Sequence, residues 1–412
     1  MPRSPALSRT IAAFCAVLAA PFALADSLSL PQAIANAMAH NPDMAAARQE
    51  IGIAEGARRQ AGLIPNPELS WEVEDTRRDT STTTVTLSQP LELGGKRGAR
   101  IEVARVGQSL AQMTLEQQVN TLRAEVVQAF HGALRAQTAV ELAQQSLDLT
   151  ERGLRVVEGR VRAGKSSPVE ATRAEVQLAE ARLQLSRARS EKSNAYRQLA
   201  QVTGSAADGV ERLDAPSLSP GLPPAEALLL NRLQDTAELR QAVAQIEQND
   251  AALGSEKAQR IPNLTVSLGS QYDRAERERV NVVGLSLPLP LFDRNQGNVL
   301  AAARRSDQAR DLRNAVELRL RGETRTALNQ WNTAMQEVAA YDGTLLPAAR
   351  QAVDTATRGF ERGKFGFIEV LDAQRTLIVA REQYLASLAM ASEARGRVER
   401  IFGDLDALTA TP

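Results

Sequence analysis

The chain carries one pattern twice. Ala163-Gly164-Lys165 leading to Glu170 recurs as Arg362-Gly363-Lys364 leading to Glu369, and Val202-Thr203-Gly204 recurs as Ile401-Phe402-Gly403. Upstream, Ile64-Pro65-Asn66 recurs as Ile261-Pro262-Asn263, and Leu87-Ser88-Gln89-Pro90-Leu91 as Leu285-Ser286-Leu287-Pro288-Leu289. All four pairs are separated by about 198 residues, a constancy that marks a tandem duplication. Each half is then one structural unit, and the function must use both.

The N-terminus reads as a secretory signal. Arg3 and Arg9 precede an apolar stretch from Ile11 to Leu24 that closes on Ala23-Leu24-Ala25, which predicts cleavage after Ala25. The single cysteine, Cys15, leaves with it, so the mature chain has no disulfide or thiol chemistry. The 49 basic and 49 acidic residues balance, which argues against a nucleic-acid partner. Beyond the signal no apolar run could span a membrane as a helix, so any membrane passage must use β-strands.

Within each half the pattern is helix, two strands, then a long helical hairpin. Residues 26–214 form the first repeat, 215–224 a linker rich in proline, serine and glycine, 225–405 the second repeat and 406–412 a tail. Asn41-Pro42 interrupts the first helix. Leu69, Trp71 and Val73 alternate with Ser70, Glu72 and Glu74; Thr83, Val85 and Leu87 alternate with Thr84, Thr86 and Ser88. This predicts a β-hairpin over 66–90 with one apolar and one polar face, repeated over 262–288.

The helical hairpins are expected over 97–204 and 298–403. In the first, apolar or small residues from Leu115 through Val126, Ala133, Val140 and Leu147 to Val161 recur at steps of four and three. The turn falls at Gly164 to Pro168. In the second hairpin, which turns at Gly363, Arg321 and Arg325 are expected to interrupt the seam.

Four strands with an apolar face cannot stand alone, because small membrane barrels begin at about eight strands. Three copies would supply a twelve-stranded barrel continuing into a long α-helical barrel, with the Ser, Thr and Glu face lining a wet interior. The fold expected is therefore mainly α with a small β part. A periplasmic coiled-coil protein with two surface hairpins is the structural alternative, and the sparse aromatics, with Trp71 and Tyr272 the large ones on the strands, speak for it.

These features resemble the TolC-like trimeric outer-membrane efflux channels over essentially the whole mature chain. The Asn41-Pro42 break, the Pro-Asn before each outward strand, the proline closing each hairpin and the paired Gly-Lys turns carry the resemblance. Three segments resemble the CzcC-type branch serving heavy-metal resistance-nodulation-division pumps: Gln89 to Arg97, Pro288 to Gly297 and Gly363 to Leu377. The resemblance implies a passive duct in the outer membrane, extending into the periplasm. It also implies a homotrimer, a periplasmic adaptor, an inner-membrane pump and no enzymatic activity. Ducts for drugs or for secreted proteins share the same fold.

By this resemblance Glu369 and Asp372, three apart on one helix face, would line a periplasmic gate that attracts cations, with Glu170 in the equivalent place of the first half. The same acids would also suit an ordinary solvated first helical turn. The tips Gly164, Lys165, Gly363, Lys364, Phe365 and Phe367 would meet the adaptor, the two phenylalanines being either an exposed docking patch or packing against a neighbouring helix. Some family members latch the closed mouth with a basic residue at the position of Phe365, which this chain lacks.

Gly159, Gly164, Lys165 and Ser166 have the spacing of a nucleotide-binding P-loop, the basis for an ATPase alternative. That motif needs a preceding strand, whereas Val157 and Val161 continue the helical seam. His40 and His131 are the only histidines and sit on separate helices, so no metal site, cofactor or catalytic constellation is expected.

Overall fold

The computed structural model describes residues 27–204, 212–215 and 217–410. The expected signal segment, with Cys15, lies outside them.

Each half opens with a broken helix, and in the first the cause is one asparagine. Helices α1 (Leu30–His40) and α2 (Pro42–Ala61) meet at Asn41. Its side-chain oxygen accepts from the backbone N–H of Asp43 at 2.9 Å and of Met44 at 3.2 Å. Pro42 has no N–H to satisfy, which suits the first helical position. The Asn41 amide donates to the Val202 carbonyl at 2.9 Å, tying the break to the end of the returning helix. Gly204 passes beneath with φ +67°, where a Cβ would lie 2.6 Å from the His40 carbonyl oxygen, so only glycine fits.

The strands form one antiparallel sheet: β2 (Glu68–Glu74), β3 (Thr82–Leu91), β5 (Leu264–Asp273) and β6 (Glu278–Ser286), side by side in the order β2-β3-β5-β6. Two-residue strands β1 (Leu28–Ser29) and β4 (Leu213–Asp214) pair separately in parallel. In the large sheet, register brings the two alternations into phase. Trp71 faces Val85, Leu87 sits between Leu69 and Leu268, and Leu268 faces Val283. One face is therefore apolar across all four strands, and those residues are exposed, Leu285 at 72%. The opposite face carries Ser70, Glu72, Thr84, Thr86, Ser267 and Gln271. Gly269 and Gly284 lie on it where a Cβ would meet Thr86 Oγ1 at 2.8 Å and Ser267 Oγ at 2.5 Å.

The helical part is a layer of long limbs. Helix α3 (Lys96–Arg162) runs unbroken for 67 residues, about 100 Å. It packs against α4 (Pro168–Thr203) on one side and α9 (Phe367–Phe402) on the other. Between Leu122 and Ala136 more than the expected seam is covered: Val127, Phe130 and Leu134 are buried beside Val126, Ala129 and Ala133. For Phe130 and Leu134 the reason is that α1 and α4 both close on α3 here, joining Ala33, Ala37 and Leu199 to its core.

In the second half, α5 (Glu226–Asn231) and α6 (Ala237–Gln259) precede the strands, and α7 (Gln296–Ala340) leads outward. The seam of α7 is not interrupted at Arg321 and Arg325. Both point to solvent, pairing with Glu317 and Glu226, while Leu320, Thr324, Ala327 and Trp331 form the buried stripe. The break comes later, as a π-helical turn at Tyr341–Leu345 before α8 (Leu346–Glu361). Pro347 explains it, because its ring would clash with the carbonyl four residues back in a regular α-helix.

The linker is fastened rather than loose. Trp331 Nε1 donates to the Gly221 carbonyl at 3.0 Å, and Arg395 Nη1 donates to the Pro220 carbonyl at 2.7 Å. Arg395 also holds the fully buried Glu399 at 2.9 Å. The short α10 (Leu405–Ala410) covers this region with Leu405, the last residue of the expected second repeat, and runs on into the stretch expected as a tail.

Candidate functional site

Both helical hairpins end in the same turn, built by a left-handed glycine. Gly164 (φ +67°) and Gly363 (φ +72°) terminate α3 and α8. The following amides turn back onto the last helical carbonyls, Lys165 to Arg160 at 2.8 Å and Lys364 to Gly359 at 2.8 Å. Ser167 then caps α4, accepting from the Val169 N–H at 3.3 Å, and Gly366 takes the equivalent place before α9. The P-loop spacing thus falls on the last turn of a helix. Its amides are spent on the helix end, Gly164 donating to Val161 at 2.9 Å, and cannot wrap phosphates.

The two tips are brought together by an apolar cluster. Val157 of α3, Ala174 of α4, Ala356 and Phe360 of α8, and Phe367 and Val370 of α9 pack as one group. The reading of Phe367 as an exposed docking residue is therefore corrected. It is 3% exposed, tilted against Phe360 with ring centroids 5.5 Å apart. It occupies the first position of α9, in line with buried Val370, Gln374 and Leu377, so the helix faces it inward. Phe365 stays exposed, its ring lying over Gly359, and the other exposed apolar side chains of the tips are Ile368 and Val169. Lys165 and Lys364 are exposed.

Glu369 and Asp372 are both exposed near the start of α9, where the Glu369 carboxylate folds back over Gly366. Glu170 sits in the first turn of α4, half-buried, with one carboxylate oxygen shielded and without a hydrogen-bond partner. Glu170 and Glu369 thus flank the tip cluster at equivalent places of the two hairpins, whereas the counterpart of Asp372 is Arg173.

A residue missed by the sequence reading connects them. Arg160 Nη1 donates to the Phe360 carbonyl at 2.8 Å, and Nε donates to Ser166 Oγ at 3.1 Å. Its guanidinium also lies 4.6 Å from the Phe360 ring centroid. The first hairpin is thereby clamped to the second. The signal was available, because the repeat places Arg160 opposite Gly359, a charge where the twin has no side chain.

His131 is buried near Arg395 and Arg135. Burial first, and then these positive neighbours, push it down to about 4, which leaves it neutral and structural. Among the described residues no three histidine, cysteine, aspartate or glutamate side chains converge to hold a metal ion. Nor is any helix among them long and apolar enough to cross a membrane.

Comparison with known proteins agrees with this architecture. The profile of the outer membrane efflux protein family matches residues 33–205 and 228–404, one stretch in each repeat. The chain is 40% identical over 388 residues to the cobalt-zinc-cadmium resistance protein CzcC of Cupriavidus metallidurans, covering 93% of this chain and 92% of that protein. In structure it is similar to the outer-membrane channel OprN, with a TM-score of 0.77 at 18% identity over 90% of this chain and 89% of that one. It is also similar to the outer membrane protein VceC of Vibrio cholerae, with a TM-score of 0.75 at 18% identity over 91% and 97%. An exposed apolar sheet face, two equivalent helical hairpins and matches in both repeats converge on one conclusion: the chain belongs to the outer membrane efflux protein family and is a channel protein, not an enzyme.

Proposed function

We propose that this protein is the outer-membrane exit duct of a tripartite efflux system for heavy-metal cations, assembled as a homotrimer. The observation that carries the cargo class is the 40% identity, across nearly the full length of both chains, to a cobalt-zinc-cadmium resistance protein. The charge of the sheet supports it. Glu72, Glu74, Asp273 and Glu278 lie on the face opposite the apolar one, so a closed barrel would present carboxylates to the passing cargo.

In this reading the sheet edges β2 and β6 join between copies, since four strands cannot close a barrel alone. The duct supplies no energy and receives cargo from an inner-membrane resistance-nodulation-division pump through a periplasmic adaptor. Glu369, Asp372 and Glu170 form the acidic mouth, and Gly164, Lys165, Gly363, Lys364 and Phe365 present the tip to the adaptor. Ile368 and Val169 take over the apolar part of that surface from the buried Phe367.

Two measurements test this. A deletion strain should become sensitive to cobalt, zinc or cadmium while keeping its drug tolerance, and drug sensitivity alone would refute the cargo. In a planar bilayer the purified channel should prefer cations, and Glu369→Gln with Asp372→Asn should reduce that preference; an unchanged preference would remove these residues from the mouth.

A further inference from the structure

The junction between strands and helices is packed more closely in one half of the chain than in the other, Leu91 and Leu93 being 42% and 39% exposed against 73% and 66% for their repeat partners Leu289 and Leu291. In the first half, the segment after β3 runs beneath Ile261-Pro262-Asn263. A Cβ at Gly94 would lie 2.7 Å from the Ile261 Cβ, and buried Lys96 donates to Asn263 Oδ1 at 2.6 Å. This contact exists because β3 and β5 are neighbours in the sheet, and the two segments leave the same end of that pair.

The equivalent segment after β6 has no such cover. Leu287, Leu289, Leu291 and Phe292 are all exposed, Phe292 at 91%. The repeat partner of Ile261-Pro262-Asn263 is Ile64-Pro65-Asn66, which leads into β2, and Leu63 and Ile64 are exposed too. These two bare surfaces cannot meet within one chain. Strands β2 and β6 are opposite edges of the sheet, three strand spacings or about 14 Å apart.

We infer that Leu289, Leu291 and Phe292 of one copy pack beneath Leu63 and Ile64 of the next copy, forming an apolar collar where the strand barrel meets the helices. The inference rests on the trimeric reading above and adds to it a specific contact. The occupant is a second copy because the chain shows the corresponding contact once internally, where Ile261-Pro262-Asn263 stand for Ile64-Pro65-Asn66 and Leu91, Leu93 and Gly94 stand for Leu289, Leu291 and Phe292, a phenylalanine thus replacing the glycine of the internal contact. Ring closure would set β6 beside β2 of the next copy, antiparallel as β3 is to β5, and would bring both apolar surfaces together. The alternative occupant, the lipid surface, would leave Ile64 and its neighbours without the role that Ile261 has.

The mature chain is expected to have no cysteine, so paired cysteines can report the contact directly. The full-length Ile64→Cys/Phe292→Cys variant, oxidised in native outer membranes, should give disulfide-linked dimers and trimers at roughly tenfold the level of either single variant, since a disulfide needs Cβ atoms about 4 Å apart. A bimane fluorophore on Phe292→Cys should be protected from brominated lipid. A trimer by particle mass that fails to crosslink, or strong quenching by lipid, overturns the collar while leaving the trimer intact. A monomeric or dimeric particle in mild detergent overturns the trimeric reading itself, and the collar with it.

Discussion

Removing the Arg160 guanidinium should loosen the tip without unfolding the helices. Arg160→Met keeps the aliphatic stem but loses the 2.8 Å bond to the Phe360 carbonyl, the 3.1 Å bond to Ser166 and the contact with the Phe360 ring. A hydrogen bond from a charged donor contributes about 1.5–3 kcal/mol. The ring contact adds about 0.5–1 kcal/mol at a half-exposed site, and the freed side chain regains about 1 kcal/mol of entropy. The net loss is about 2 kcal/mol, or about 30-fold in a local opening equilibrium. The amides of Gly363 and Lys364, which donate to Phe360 at 2.9 Å and Gly359 at 2.8 Å, report that opening. Hydrogen exchange by mass spectrometry should therefore speed up about 30-fold over residues 359–366 and stay constant over 126–134. Ser166→Ala, which removes only the weaker bond, should give a several-fold effect. Unchanged exchange at the tip would refute the clamp, and equal acceleration in both segments would make Arg160 a general stabiliser.

Further outcomes follow from the burial pattern. His131 is held at about 4 against an ordinary 6.5, so the unfolded chain binds its proton first, and stability is lost as pH falls from 6.5 towards 4. That loss is about 3 kcal/mol, and thermal unfolding of His131→Leu should lack the His131 share of the acid-side decline. Gly94→Ala combines φ +70° with a 2.7 Å approach to Ile261, whereas Gly95→Ala has φ +73° and open space. The first should cost about 2–4 kcal/mol and the second about 1 kcal/mol, read as heat stability of the assembled protein. Val283→Arg, on the apolar face and further into the strand, should cost up to about 2–4 kcal/mol if it lies near the bilayer midplane. Val282→Arg, on the opposite face, should assemble normally and lower cation conductance instead.

How much of this was legible differs by element. The strands were readable because period-two alternation fixes both faces, and the register puts Leu69, Leu87, Leu268 and Val283 on one side as the pattern required. The break in the second limb is marked by Pro347 and not by the charges at Arg321 and Arg325, because long arginines on a helix need only reach water. Phe367 shows a different failure. Its spacing to Val370, Gln374 and Leu377 marks the buried stripe of α9, a pattern visible only once the helix is started at Phe367 rather than at the turn. For Arg160 the repeat marks the position, a charge opposite Gly359, but not its partner, because Phe360 lies in the other repeat and is brought near by tertiary packing.

The duplication explains why such residues cluster at the tip. A ring of identical hairpins would have sixfold local symmetry, and every hairpin would have to move alike. Along the limbs the copies agree in length, α3 matching α7, the π-helical turn and α8 taken together and the returning helices having 36 residues each, although only the second outgoing limb is broken. At the tip they diverge: Arg160 against Gly359, Ser166 against Phe365, Arg173 against Asp372. The first of these differences makes one hairpin a holder and the other the thing held, Arg160 clamping Phe360. A passive tube gains nothing from that inequality, but a mouth that opens needs it, because one set of hairpins must stay anchored while the other swings. The proposed gate therefore belongs where the turn residues of the two copies differ, while the limbs keep a common length because they only have to hold the wall.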